Sequence, residues 1–340
     1  LLSLALPEEH ISRVLDAMFP PSLERVAQQP DLVVRTTEDL VRFKEGDLLG
    51  FLLRLDEAQK GLTNWALTGP TMIRGGAGTG KSTVAMYRVK AVLERAGATS
   101  RERLLFTTYT RALLGASQQL LEQLLTRDQM KRVRVASCDQ IAREIVAARR
   151  KLGRIESDSD ARQRLASIRR TYEPKAESAF EAKVRARAMA RLSDSYLLEE
   201  FDWVISGRGL SSIGEYLEAA RPGRGVAFPD RLRIAVWGLY EAFRDSRRDE
   251  RFSDLRNEAL DMVRQPGWTG HWDFVFVDEA QDLSPSALAL MAEVCRSPQG
   301  LFFAADSKQS LYSRNYTWSS AHPRLQFKGR TANLTRNYRS

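Results

Sequence analysis

Residues 74 to 83 read RGGAGTGKST. Gly75, Gly76, Gly78 and Gly80 crowd into six positions, with Ala77 and Thr79 between them, and Lys81, Ser82 and Thr83 follow. The spacing Gly75-x-x-x-x-Gly80-Lys81-Ser82 is that of a loop that cradles phosphates. Backbone without Cβ atoms can turn successive N–H groups inward around phosphate oxygens. A helix starting at Lys81 would add the partial positive charge of its N-terminus, with Thr83 in its first turn. Lys81 would reach the β- and γ-phosphates, and the Ser82 hydroxyl would take a Mg2+ position. The competing reading is a flexible glycine turn, which the strand and helix patterns on either side disfavour.

A triphosphate site needs a carboxylate for magnesium and a group that orients water. The stretch FVFVDEAQD, 274 to 282, offers both. Asp278 ends an apolar run and would hold Mg2+, directly or through water. Glu279 would position or deprotonate the attacking water. Alone, an acidic strand end is commonplace; beside a phosphate loop it reads as the second half of one site.

These residues need a scaffold. TMIRG (71–75), RLLFTTYT (103–110), RVRVASC (132–138), DFVFVDE (273–279), GLFFAAD (300–306) and TANLTRN (331–337) read as buried strands. Helical patterns follow several of them. Ser284 then Pro285 form an N-cap with proline at the first helical position. Alternating strands and helices predict an α/β fold, a parallel sheet flanked by helices, and the Gly75–Ser82 motif makes it the sheet of a P-loop NTPase. Residues 146–264 are mostly helical by period and predict an inserted subdomain. The expected organisation is an accessory segment at 1–52, sheet at 53–145, insertion at 146–264, and sheet again at 265–340.

The chain has 340 residues and a formal net charge of +9. Between Arg149 and Arg191 lie thirteen Arg/Lys and six Asp/Glu, a net of +7. Such a segment can release counterions from a phosphate backbone; a solvated helical face is the plainer reading. Cys138 and Cys295 have neither pairing nor metal spacing, and His10, His271 and His322 are scattered. Both cysteines read as small buried hydrophobes. No apolar run approaches the ~18 residues that cross a bilayer, and LLSLALPEEH is too short and lacks the basic start of a signal peptide. A cytoplasmic protein with no membrane partner is the expectation.

The combination of GGAGTGKS with DEAQD at 278–282 strongly resembles the UvrD/Rep-like superfamily 1 DNA helicases. Further motifs follow in that family's order. LDEAQ (55–59) looks like the Q motif, FTTYTRALL (106–114) like motif Ia, and VASCDQIAREI (135–145) falls where motif Ib lies. AADSKQSLY (304–312) resembles motif III and LTRNYRS (334–340) motif IV. The resemblance covers about 53–145 and 268–340. It implies a RecA-like domain using ATP and Mg2+, acting on single-stranded and duplex DNA. It places Gln59 against the adenine edge and Tyr338 on the adenine face. Gln281 and Gln309 would sense the γ-phosphate, and Arg339 would act as an arginine finger. Tyr109, Thr110, Arg111 and Trp318 fall at DNA-contact positions, the two aromatics as base-stacking platforms.

Three departures touch the DNA-contact and coupling elements rather than the hydrolytic centre. Cys138 stands where a histidine is usual, Arg111-Ala112 where Asn-Lys is common, and Ala305-Asp306 where motif III opens Gly-Asp. The family's second RecA-like domain, with motifs V and VI, is expected elsewhere in a longer protein. The resemblance implies 3′-to-5′ movement and unwinding. The alternative is an ATP-driven switch or loading protein, with a partner in a repair or defence complex and without sustained unwinding.

Overall fold

Strand β1 (Thr71–Gly75) runs between two strands that come more than two hundred residues later, β5 (Leu301–Asp306) and β6 (Thr331–Leu334). β2 (Leu104–Thr107), β3 (Val133–Val135) and β4 (Phe274–Val277) complete the sheet. Every pairing is parallel, in the order β3-β2-β4-β5-β1-β6. This computed structural model describes residues 55–97, 99–108, 111–221, 228–306 and 317–335. Among them all six expected strands form, each within the stretch that its apolar run predicts.

The runs are continuous rather than alternating because both faces of the sheet are covered. Side chains alternate between the faces. Met72, Leu105, Val275, Val277 and Phe303 enter one core. Ile73, Leu104, Phe106, Phe276 and Phe302 enter the other. The first face carries α5 (Cys138–Ala147), α11 (Phe252–Arg264) and α12 (Pro285–Val294); the second carries α2 (Lys81–Ala96) and α3 (Arg111–Leu124). Helix α1 (Glu57–Thr63) precedes β1, and α4 (Arg127–Met130) precedes β3. Ser284 caps α12 by accepting from the Ala287 N–H, with Pro285 at the first position. This is the α/β arrangement of a RecA-like P-loop fold.

A helical insertion separates β3 from β4. It contains α6 (Asp158–Thr171), α7 (Ala179–Ala190), α8 (Asp194–Glu199), α9 (Ile213–Glu218) and α10 (Asp230–Asp245). A π-helical turn (Glu200–Ile205) continues α8. These elements share their own core, built on Leu165, Phe201, Tyr216, Val236, Leu239 and Phe243. Helix α11 lies within the span expected for the insertion, yet Leu255, Ala259 and Val263 pack into the core under the sheet.

Ion pairs pin the two chain crossings into the insertion. Arg150 reaches Glu250 and Glu258, both at 2.6 Å. Arg251 bridges Glu156 at 2.8 Å and Asp202 at 2.6 Å. The basic stretch is thereby partly spent on internal pairing: Arg164 bonds Glu156, Arg169 bonds Asp194 and Arg185 bonds Glu181. Lys183, Arg187 and Arg191 instead lie exposed along or just past α7. Phe180 on the same helix is 78% exposed and Val184 48%.

Candidate nucleotide-binding site

A parallel sheet puts the C-terminal ends of its strands at one edge, where ligands of such folds bind. Here Gly75 of β1 stands opposite Asp306 of β5, and Val277 of β4 opposite Phe303. The phosphate loop and the DEAQD segment therefore leave the sheet at the same edge with β5 between them, and a hydrogen bond from Ser82 to Asp278 spans the gap. A Cβ at Gly75 would lie 2.4 Å from Thr79 Oγ1 and 2.9 Å from Leu334 O, so only glycine fits under the turn. Gly80 takes φ 79° and caps α2. Lys81 Nζ donates to Gly76 O at 2.9 Å, and Thr79 Oγ1 donates to the same carbonyl at 2.9 Å. The lysine is curled back over its own loop, buried, with its charge facing the glycine turn.

Asp278 follows β4 directly and is 4% exposed. Burial pushes its carboxyl up to about 6, helped by the charge of Glu279 and opposed by a hydrogen bond from Ser82 and by Lys81. A buried carboxylate in contact with a hydroxyl is a hard oxygen pair. That donor set suits Mg2+, which typically takes one or two protein oxygens and fills its shell with phosphate and water. Glu279 adopts φ 48°, ψ 42°, a left-handed conformation unusual for a non-glycine residue. Its N–H donates to Asp278 Oδ1 at 3.0 Å. The turn sets a buried carboxylate, Asp278, next to a half-buried one, Glu279.

Gln281 is buried and holds this turn. Its Nε2 donates to Glu279 Oε2 at 2.6 Å and to Asp282 Oδ2 at 3.3 Å. Its Oε1 accepts the Asp306 backbone N–H at 3.0 Å. One amide thus joins the acidic turn to the end of the neighbouring strand.

A sequence model described as the UvrD/REP helicase N-terminal domain matches residues 55–326. The chain belongs to that family. It is similar to a protein named DNA helicase IV from Escherichia coli (strain K12), with 23% identity over 273 residues that cover 71% of this chain and 38% of that protein. It is also similar to one named "Putative ATP-dependent DNA helicase YjcD" from Bacillus subtilis (strain 168), with 21% identity over 288 residues, 80% of this chain and 35% of that protein. The chain thus spans well under half the length of these relatives.

Within this UvrD/REP domain, Gln59, the loop at 75–83, Asp278, Glu279 and Gln281 come together at the sheet edge. Gln59 is buried, and both ends of its amide are engaged: Oε1 accepts the Asp56 N–H at 2.9 Å, and Nε2 donates to Thr79 O at 3.0 Å. An amide has two donors and two lone pairs, so one of each remains for an adenine edge. Trp318 differs from the base-stacking expectation. It is 6% exposed, packed edge-on against Phe303 and Phe327, so its ring faces the core in this arrangement. The aromatic run around it reads the same whether it serves a core or a groove. Tyr109, Thr110, Gln309, Tyr338 and Arg339 lie outside the described residues, as do residues 1–52 and the side chain of Arg111.

Two features go beyond the residues singled out from sequence. The hydroxyls of Thr107 and Thr108, at the end of β2, are buried without a hydrogen-bond partner among the described residues. Arg88 is buried on α2, seven residues after Lys81. Its signal is present in the sequence: an arginine four residues after Val84 and four before Val92, on the apolar face of α2. Both cysteines are buried and free, as expected, and burial pushes each thiol up to about 12. No helix among the described residues is long and apolar enough to cross a membrane.

Proposed function

We propose that this chain is the ATP-binding and ATP-hydrolysing part of a DNA helicase or translocase. It would couple hydrolysis to 3′-to-5′ movement on single-stranded DNA and to duplex unwinding in the cytoplasm. The observation that supports this best is the Gln281 amide. It ties Glu279, the residue assigned to water, to Asp306, which lies within the segment resembling motif III. A change at the γ-phosphate can thereby shift a second strand end.

In this reading Lys81 exchanges its bond to Gly76 O for β- and γ-phosphate oxygens. Ser82 and Asp278 would hold Mg2+, which would neutralise charge on the phosphates when bound. Glu279 accepts a hydrogen bond from the attacking water and draws its proton. Gln309, Tyr338 and Arg339 are assigned to the γ-phosphate, the adenine face and the developing charge. A second RecA-like domain of the same protein would form the facing wall of the cleft.

DNA contact is assigned to Tyr109, Thr110 and Arg111 and to the exposed basic face of α7. Reversing Lys183, Arg187 and Arg191 to glutamate should weaken DNA binding. The slope of log affinity against log salt should fall by roughly 2–3, about 0.7–0.9 for each phosphate that is no longer neutralised. Titrations at several salt concentrations check this, and an unchanged slope would remove the insertion from the DNA site. These three are suited to the test because Arg150, Arg164 and Arg169 are committed to ion pairs within the fold.

Strand displacement by the full-length protein tests the function. ATP-dependent release of a strand from a duplex with a 3′ single-stranded tail, and none from a 5′ tail, is expected. Hydrolysis without displacement on either substrate would favour the ATP-driven switch, the reading that sits more easily with Cys138 and Arg111-Ala112 at motif positions.

A further inference from the structure

Arg88 lies seven residues after Lys81 on α2 and is 2% exposed. Val84, Ala85, Val89 and Val92 share its buried face. A charge there must be met by strong acceptors. Among the described residues its partners are carbonyls, a hydroxyl and a ring. Nη1 donates to Leu62 O at 2.8 Å and to Trp65 O. Nη2 donates to Ala66 O at 2.9 Å and to Thr71 Oγ1 at 3.4 Å. Its Cζ stands 4.6 Å from the centre of the Phe302 ring. Burial lowers its pKa to about 10, so it remains charged at neutral pH.

The three carbonyls all belong to the end of α1 and the turn after it. Leu62 is in the last turn of α1, where carbonyls lack helical partners and carry the negative end of the helix dipole. Ala66 holds a left-handed φ of 42°. A non-glycine residue stays there only where its surroundings fix it, and the guanidinium fork is one such constraint. The opposite end of α1 is fixed by Gln59, whose Nε2 donates to Thr79 O. Helix α1 is therefore fastened at both ends to the strand–loop–helix that carries the phosphate site.

We propose that Arg88 is a positioning residue for base recognition: by clasping the 62–66 turn it sets α1 against the phosphate loop, so that the unspent donor and acceptor of Gln59 meet the adenine edge. This rests on the reading that Gln59 contacts adenine. Adenine offers N6–H2 and N7 side by side, which an amide matches and which guanine does not. Lysine at position 88 keeps the charge but is a point donor without the planar fork, and cannot span the same carbonyls.

The test compares the full-length protein with Arg88→Lys, Gln59→Ala and the double variant, using ATP and GTP. Arg88→Lys should reduce the ATP-over-GTP ratio of kcat/KM roughly tenfold, the scale of one hydrogen bond removed. The change should appear in KM for ATP, with kcat and both GTP constants unchanged. Gln59→Ala should lose the same preference, and the double variant should lose no more, as for residues acting through one interaction. If Gln59→Ala keeps the preference, the adenine reading of Gln59 falls and the role of Arg88 falls with it. If Gln59→Ala loses it while Arg88→Lys keeps it, only the role of Arg88 is overturned. A fall in kcat with both nucleotides would mark a merely structural residue and also overturn it. Should Arg88→Lys not fold, Thr71→Val removes one acceptor of the guanidinium and should move the ratio the same way by less; an unmoved ratio there would be equally contrary.

Discussion

Replacing Glu279 with glutamine is expected to lower kcat for ATP hydrolysis by roughly 10²–10⁴-fold while ATP still binds. The carboxylate is the group assigned to water, and the amide has almost no basicity. Binding should persist because the phosphate loop, Ser82 and Asp278 are untouched. The turn should persist too, since its left-handed backbone and the Glu279 N–H bond to Asp278 Oδ1 do not depend on the side-chain charge. Single-turnover hydrolysis beside equilibrium binding of ATP separates the two effects. An unimpaired kcat would take the water-activating role away from Glu279.

Gly80→Ala is expected to weaken ATP binding by at least roughly tenfold and to destabilise the fold. Two costs add. A left-handed φ of 79° costs an L-residue about 1–2 kcal/mol. The new Cβ would also sit 2.2 Å from Gln59 Nε2, the atom that fastens α1 to Thr79 O. The amide must swing aside and give up that bond, which costs about 0.5–1.5 kcal/mol. Adding Gln59→Ala should relieve the second cost and leave the first. Thermal unfolding of the single and double variants reads this directly. If Gly80→Ala is no less destabilising in the Gln59→Ala background, the contact between these residues is not what the glycine accommodates.

The strands were legible because a sheet covered on both faces needs unbroken apolar runs, and FVFV and LFFAA can do little else. The phosphate loop was legible because its glycines meet local steric demands, as at Gly75 and Gly80. Strand order was not legible. β1 sits between β5 and β6, and those pairings join segments far apart in the chain. The basic run at 149–191 is only partly legible for a similar reason. Arg150 is matched by Glu250 and Glu258, 100 and 108 residues away, so a local charge count cannot show how much of it is spent. The place of α11 in the sheet core was hidden too, since its period is helical whichever core it joins. Trp318 shows the limit for aromatics: residue type alone does not tell a ring packed on Phe303 and Phe327 from one awaiting a base.

The central claim is that this site hydrolyses ATP in response to DNA. The most direct measurement is ATP hydrolysis by the full-length protein with and without single-stranded DNA, beside Lys81→Ala. Marked stimulation by DNA that disappears in Lys81→Ala is the predicted result. Hydrolysis indifferent to DNA, or undiminished by the loss of Lys81, would contradict it.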